Sequence, residues 1–324
     1  MRILITGISG FVARHFVELL STLNEPVHIA GIYNNHLPQF SEDDFTNIKC
    51  DFHKIDLLDS SRLREVLLSF RPDYILHLAS KSSVAYSWKH PSETIKHNTG
   101  IFISLIENIR LLNLDCRLLS VGSAEEYGNA PKTELPLIET HCPNPVSPYG
   151  TSRVMQQKLV EIYSKNYGLD MVHTRSFNHI GPGQKESFVI SSFAKQLVGI
   201  ANNHDFHQPL IAGDLSIVRD FVDVRDVVKA YYMLLMQGAN GNVYNICSGK
   251  GISLNEILSK MCSILNIQIS IEEDPNLIRP NDTKITIGSY AKLKALTGWT
   301  PTISIDQSLS DIIAWWKQSV LVTQ

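Results

Sequence analysis

The chain has 324 residues, 44% hydrophobic and 19% charged, with a formal net charge of −3 at neutral pH, enough for one or two domains with a sizeable core. The slight acidity, with no basic run or aromatic-plus-basic stripe, argues against nucleic acid as a partner, and the apolar segment at the N-terminus is too short for a leader or a membrane span. Five cysteines without a paired spacing predict reduced thiols in a cytoplasm.

Arg2 to Thr6 reads as a short buried strand. It runs into Thr6-Gly7-Ile8-Ser9-Gly10-Phe11-Val12-Ala13 and then an amphipathic helix through Leu20. A strand turning on glycines into a helix leaves backbone N–H groups facing outward, which predicts a pyrophosphate-binding turn. Gly7 allows the turn, Gly10 allows close approach, and Ala13 lets the helix lie on the strand. Further strands are expected over Val27–Tyr33, Ile48–Asp56, Tyr74–Ala79, Cys116–Val121 and Asp170–Arg175. Helices are expected over Ser60–Phe70, Thr94–Leu112 and Tyr149–Tyr167. This alternation predicts an α/β fold, a doubly wound parallel sheet with ligands at the carboxyl ends of its strands.

After Phe177 the alternation loosens. Helices near Ser187–Asn202, Asp223–Met236, Ser253–Leu265, Ser289–Leu296 and Ile305–Lys317, with a strand at Asn242–Cys247, predict a smaller C-terminal α/β region. The expected division is 1–177 plus 222–248 for the dinucleotide-binding part, and 178–221 plus 249–324 for a substrate-binding part.

Ser123 lies just beyond a strand end, on the ligand side of the sheet. Tyr149 and Arg153 follow Pro148, which suits a helix start, and residues four apart share a helix face. A serine hydroxyl can hold a carbonyl oxygen while a tyrosine, beside a fixed positive charge that favours phenolate, exchanges its proton. His77, His97 and His179 show no paired ligand spacing, so no metal is expected.

These pieces, with Asp56-Leu-Leu-Asp59, His77-Leu-Ala79, Asn98, Arg219-Asp-Phe-Val-Asp223 and Gly298-Trp-Thr-Pro301, resemble the extended short-chain dehydrogenase/reductases that modify nucleotide sugars. Within them, Gly122-Ser-Ala-Glu-Glu-Tyr-Gly128, Ser176-Phe-Asn-His-Ile-Gly-Pro-Gly-Gln184 and Arg279-Pro-Asn-Asp282 are similar to the branch that reduces GDP-4-keto-6-deoxy-D-mannose. The resemblance implies a Rossmann fold, NADPH or NADH as cofactor, and a GDP-linked 4-keto-6-deoxy sugar as substrate. It puts Gly7, Ser9, Gly10, Phe11, Val12 and Asn34 against the cofactor. Asp56 and Leu57 then lie beside the adenine, with Leu78, Ala79, Ser80 and Asn98 also on the cofactor side. Asn178 and Val189 are implied beside the nucleotide sugar, with Arg219 and Arg279 clamping its diphosphate. Tyr149 is the implied proton donor, with Ser123 and Arg153 stabilising the developing oxyanion. The resemblance also implies a homodimer through the helices near Thr94–Leu112 and Tyr149–Tyr167; apolar Ile101, Leu105, Ile109, Leu159 and Tyr163 recur there at helical spacing, which packing against the sheet explains equally well for some of them.

Two features depart from that pattern. The family places lysine where this chain has Arg153, which keeps the charge but is never deprotonated. Gly31-Ile-Tyr-Asn-Asn35 ends the second strand with neither an acid for an NAD ribose nor an arginine for a 2′-phosphate. The resemblance favours NADPH, and absence of the acid removes repulsion of a 2′-phosphate. Glu125 stands where the related 4,6-dehydratases keep a carboxylate, so a dehydratase is the nearest alternative. Against it, Ser123 replaces their usual threonine, and the arginine pair they often carry is missing from Gly183-Gln-Lys-Glu-Ser-Phe-Val189. A reductase forming GDP-6-deoxy-D-talose and a weakly active nucleotide-sugar-binding protein are the other readings.

Overall fold

The computed structural model describes residues 1–40, 44–203, 208–278 and 283–322; Arg279 and its motif lie outside them. A seven-stranded parallel sheet organises the first two-thirds of the chain. Its strands are β1 (Arg2–Thr6), β2 (Val27–Tyr33), β3 (Ile48–Lys54), β4 (Tyr74–His77), β5 (Arg117–Val121), β6 (Asp170–Ser176) and, returning late, β10 (Val243–Ile246). The order β10-β6-β5-β4-β1-β2-β3 reverses direction between β1 and β4, the switch point at which such sheets open a ligand crevice.

Successive side chains of a strand point to opposite faces, and β1 shows why both faces need cover. Ile3 and Ile5 join Phe16, Val17 and Leu20 of α1 (Phe11–Ser21) and Leu234 and Leu235 of α7 (Val224–Gln237). Leu4, between them, joins Leu63 and Leu67 of α2 (Ser60–Phe70), Phe102 and Leu105 of α4 (Pro91–Leu111) and Val160 of α5 (Pro148–Tyr167). Ile101, Leu105 and Ile109, expected at a subunit contact, are thus buried in the chain's own core, and Leu159 and Tyr163 pack against it. A helical period locates an apolar face without saying what covers it, and here the sheet does. The outward apolar residues are Ile103 and Leu111 on α4 and Met155, Ile162 and Tyr167 on α5. One short helix, α3 (Val84–Lys89), precedes α4 and was not expected.

The second region hangs from the carboxyl end of this sheet. Strand β9 (Val218–Asp223) pairs with β7 (Asn178–Ile180), β11 (Gly251–Ser253) and β13 (Ile285–Thr286). Strands β8 (Leu210–Ala212) and β12 (Ile271–Glu273) pair in parallel. Helices α6 (Val189–Asn203), α8 (Leu254–Leu265) and α10 (Ile305–Val322) close a separate apolar cluster around Phe193, Leu258 and Ile312, and α9 (Ala291–Thr297) leads into the Gly298-Trp-Thr-Pro motif.

That motif ties back to α7. Asp226, fully buried, accepts from Thr302 N, Thr302 Oγ1 and Ile303 N, each at 2.8 Å, while Trp299 Nε1 donates to its backbone oxygen at 3.0 Å. Asp223 caps α7 through Arg225 N at 2.8 Å and accepts from Ser308 Oγ at 2.6 Å. Asp220 gathers Ser248 N and Oγ, Gly249 N and Gly288 N on one carboxylate. The carboxylates of the Arg-Asp-Phe-Val-Asp motif are therefore fasteners.

Candidate active site

The glycine turn lies at the switch point. Gly7 has φ +74, and a Cβ there would stand 2.9 Å from Ala79 N, at the end of β4. Only glycine both adopts that conformation and admits the approach. Gly10 precedes α1 with no side-chain cap on the helix, so backbone donors and the positive end of the helix dipole face the crevice. Ser9 Oγ donates to His36 O, tying the chain after β2 over this turn. Asn34 is exposed just beyond β2.

Asp56 is exposed and its Oδ1 accepts from Leu58 N at 3.0 Å, whereas Leu57 is buried. Leu78, Ala79 and Ser80 are half-buried behind β4. Asn98 on α4 accepts from Lys81 N at 2.8 Å and donates to Lys81 O at 3.2 Å and Ser152 Oγ at 3.1 Å. Its amide holds the chain after β4 against α5, shaping that wall of the crevice.

Ser123 opens a 3-10 turn, Ala124–Glu126, directly after β5. Its Oγ accepts from Glu125 N at 3.2 Å, and its N–H donates to Glu126 Oε1 at 2.8 Å. The start of α5 packs onto this turn. Ser147 Oγ caps α5 by accepting from Gly150 N at 3.0 Å and faces Glu125 Oε2 at 3.5 Å. A Cβ on Gly150 would meet Glu125 O at 2.6 Å, so the missing side chain brings Tyr149 beside the serine turn. Tyr149 and Arg153 are both buried, and the guanidinium carbon lies over the phenol ring, 5.1 Å from its centroid.

Across the crevice His77, at the end of β4, meets Thr6 Oγ1 through Nδ1 at 2.9 Å. Burial, and then the charge of Arg153, hold its pKa down to about 3, so it stays neutral at every working pH. Tyr231 on α7 is pushed above the ordinary tyrosine range by burial, against the lowering effect of its 2.8 Å bond to Ser176 Oγ and with a smaller upward push from Tyr149. The chain's residues fit a bound dinucleotide: the turn leaves uncapped donors, and Arg153 Nε and His77 Nε2 are buried polar atoms without a hydrogen-bond partner among the described residues.

The substrate-side residues lie farther out. Asn178 and Val189 are exposed, at the starts of β7 and α6. Asn178 stands opposite Phe221, and the two-residue period of β9 puts Arg219 on that same face. Arg219 is buried, with Nη1 donating to Val218 O at 3.1 Å. The structure thus groups Ser123, Glu125, Tyr149 and Arg153 closely, with Asn178, Val189 and Arg219 on the second region. Sequence reasoning missed Gln156, whose Oε1 accepts from Arg153 Nη1 at 2.6 Å. Its position three residues after Arg153, on the same helix face, was the available signal.

A glycine turn at the switch point of a parallel sheet, with serine, tyrosine and a fixed cation beside it, defines an NAD(P)-dependent short-chain dehydrogenase/reductase. The chain belongs to the GDP-mannose 4,6 dehydratase family, whose model matches residues 4–312. It is 31% identical to the GDP-6-deoxy-D-mannose reductase of Pseudomonas aeruginosa, over 98% of each chain. It is 27% identical to the GDP-mannose 4,6-dehydratase of Vibrio cholerae, over 96% of this chain and 92% of that one. The solved structure of RMD from Pseudomonas aeruginosa complexed with NADPH superposes with a TM-score of 0.85 at 31% identity, covering 98% of this chain and 99% of that chain.

Proposed function

We propose that this protein is an NAD(P)H-dependent reductase of the C4 keto group of a GDP-linked 4-keto-6-deoxy-hexose, converting GDP-4-keto-6-deoxy-D-mannose to GDP-D-rhamnose. The observation that carries the reading is the grouping of Ser123, Tyr149 and Arg153 at the carboxyl end of the sheet, in a chain aligned end to end with a relative named as a reductase. When bound, the reduced nicotinamide supplies the hydride to C4. Tyr149 gives its phenol proton to the forming hydroxyl, and Ser123 Oγ donates to the same oxygen as charge develops there. Arg153 supplies positive charge and donors without exchanging a proton. Arg219, with Arg279, clamps the diphosphate from the second region. The chain divides by role into 1–177 plus 222–248 for the cofactor and 178–221 plus 249–324 for the sugar nucleotide. NADPH is favoured over NADH by the NADPH-bound relative and by Asn34 and Asn35, where an acid would repel a 2′-phosphate.

The enzyme works in the cytoplasm as a homodimer, a reading supported by five free cysteines and by the outward apolar residues of α4 and α5. A monomeric mass at micromolar concentration would remove the dimer. A second reading, 4,6-dehydration, is favoured by Glu125 beside Ser123 and by the dehydratase relatives. Turnover separates the two. With GDP-4-keto-6-deoxymannose, a reductase oxidises one cofactor per sugar and yields a rhamnosyl product. A dehydratase acts on GDP-mannose and leaves the cofactor as it was. No cofactor oxidation with the keto sugar would refute the first reading.

A further inference from the structure

Arg153 is hydrogen-bonded to a buried neighbour on its own helix. Gln156, 1% exposed and one turn further along α5, accepts from Arg153 Nη1 at 2.6 Å. Its amide orientation is fixed on its other side. Val121 O, at 3.2 Å, can only accept, so Nε2 must face it and Oε1 must face the guanidinium. Nε2 also reaches Ser120 Oγ at 2.7 Å. Ser120 Oγ, accepting that hydrogen bond, has its own O–H free to donate to His173 Nδ1 at 2.9 Å when that nitrogen is unprotonated. His173 then carries its ring proton on Nε2, which faces Glu126 Oε1 at 3.1 Å, the atom that also accepts from Ser123 N at 2.8 Å. Arg153 is 4% exposed, Gln156 1%, and Ser120, His173 and Glu126 fully buried. Every donor points one way, from guanidinium to carboxylate, and one proton assignment satisfies every link.

Among the described residues, Gln156 provides the single hydrogen bond the guanidinium makes, since Nε has no partner. A long side chain with several free torsions stays over a ring only if something restrains it. We propose that Gln156 is a positioning residue that fixes Arg153 over Tyr149, and that the buried chain through Ser120, His173 and Glu126 aligns Arg153 with the Ser123 turn. The two ends of the catalytic group are then set by one hydrogen-bond path rather than separately. This inference rests on the reading of Ser123, Tyr149 and Arg153 as that group.

The test has one arm without ligand and one with. In ligand-free protein, the side-chain nitrogen resonances of Arg153, identified by their loss in Arg153→Lys, should show separate Nη signals and a protected Nε–H. Gln156→Met, close in volume but with no acceptor, should average the Nη signals and speed Nε–H exchange at least about tenfold. Gln156→Glu keeps an acceptor and should keep them separate, which covers the case in which the methionine variant fails to fold. In the kinetic arm, Gln156→Met should lower kcat about tenfold with the sugar-nucleotide KM within about twofold. In an Arg153→Lys background, whose ammonium ends short of Gln156, the same change should alter kcat less than about twofold. Unchanged Arg153 resonances in Gln156→Met, averaged ones in Gln156→Glu, or an equal kcat loss in both backgrounds would overturn the proposal. If the parent does not reduce the keto sugar, the functional reading fails and the resonance arm alone decides this one.

Discussion

Gly122 offers the most direct trial of how tightly the serine turn is built. A methyl group on it would overlap Glu126 Oε1 and His173 Nε2 and stand 2.5 Å from Thr174 O. Thr174 O belongs to β6 and accepts from Gly122 N at 2.8 Å, so the backbone cannot retreat and the two side chains must move. Glu126 Oε1 would then lose Ser123 N and His173, leaving a fully buried carboxylate underpaired. Breaking a buried charged contact costs about 3–5 kcal/mol, and overpacking alone about 1–3. Because one movement relieves the clash and breaks the bonds, the terms overlap, and Gly122→Ala should destabilise by roughly 3–5 kcal/mol. At roughly 2–4 °C per kcal/mol, the melting temperature should fall on the order of 6–20 °C. Urea and thermal unfolding measure this, with Gly199→Ala as the control. Gly199 sits in α6 with nothing within 4 Å of its Cβ position, and alanine there should stabilise by about 0.5–1 kcal/mol. If Gly122→Ala unfolds within about 1 kcal/mol of the parent and keeps its turnover, the close Gly122–Glu126–His173 packing is not what holds Ser123.

Tyr149→Phe should lower kcat about 10²–10⁴-fold while cofactor affinity, read by equilibrium binding, stays near that of the parent. Arg219→Ala should raise the KM for the sugar nucleotide, a loss of roughly 1.5–3 kcal/mol, and leave that for the nicotinamide cofactor unchanged. Loss of His77 neutrality should show in acid. Its folded pKa of about 3 lies below the ordinary histidine value of 6.5, so the stability it contributes is present above pH 6.5 and is lost as pH falls towards 3, at up to about 1.4 kcal/mol per pH unit. Asp220, which burial raises from 3.8 to about 6, opposes that slope, because its contribution is present below pH 3.8 and lost as pH rises through 6. In unfolding measured between pH 4 and 6, His77→Gln should therefore become more stable relative to the parent as pH falls, and Asp220→Asn less stable. Coincident curves would deny both groups their shifts.

The glycine turn, the main strands and the long helices were legible because each carries a local signature: an apolar run, a 3.6-residue period, or a breaker at the boundary. Helix α3, with six residues, is too short to display a period, and its cap, Ser83 Oγ to Tyr86 N, resembles any serine turn. Strands β7, β8, β11, β12 and β13 have three residues or fewer, and their pairing is decided by segments far away in the chain. In the site, Tyr149 and Arg153 could be paired from spacing alone. Gln156 shares their helix, but its partner Ser120 is 36 residues away, and Ser120 in turn meets His173 across 53 residues, on strands that only folding brings beneath it. The apolar residues of α4 and α5 were legible as a face, but a helical period does not say whether a sheet or a second subunit covers it, and Ile101, Leu105 and Ile109 pack on the sheet.

The grip of Asp223 and Asp226 on residues 299–308 bears on how the molecule comes apart. Helix α7 lies under the nucleotide-side sheet, yet its first turn holds the segment that leads into the last helix. The C-terminal quarter should therefore show no melting transition of its own, and amide protons of α10 and of β1 should exchange through a common opening. Truncation after Thr297 would strip the buried Asp226 carboxylate of three donors, so a chain cut there should not fold stably.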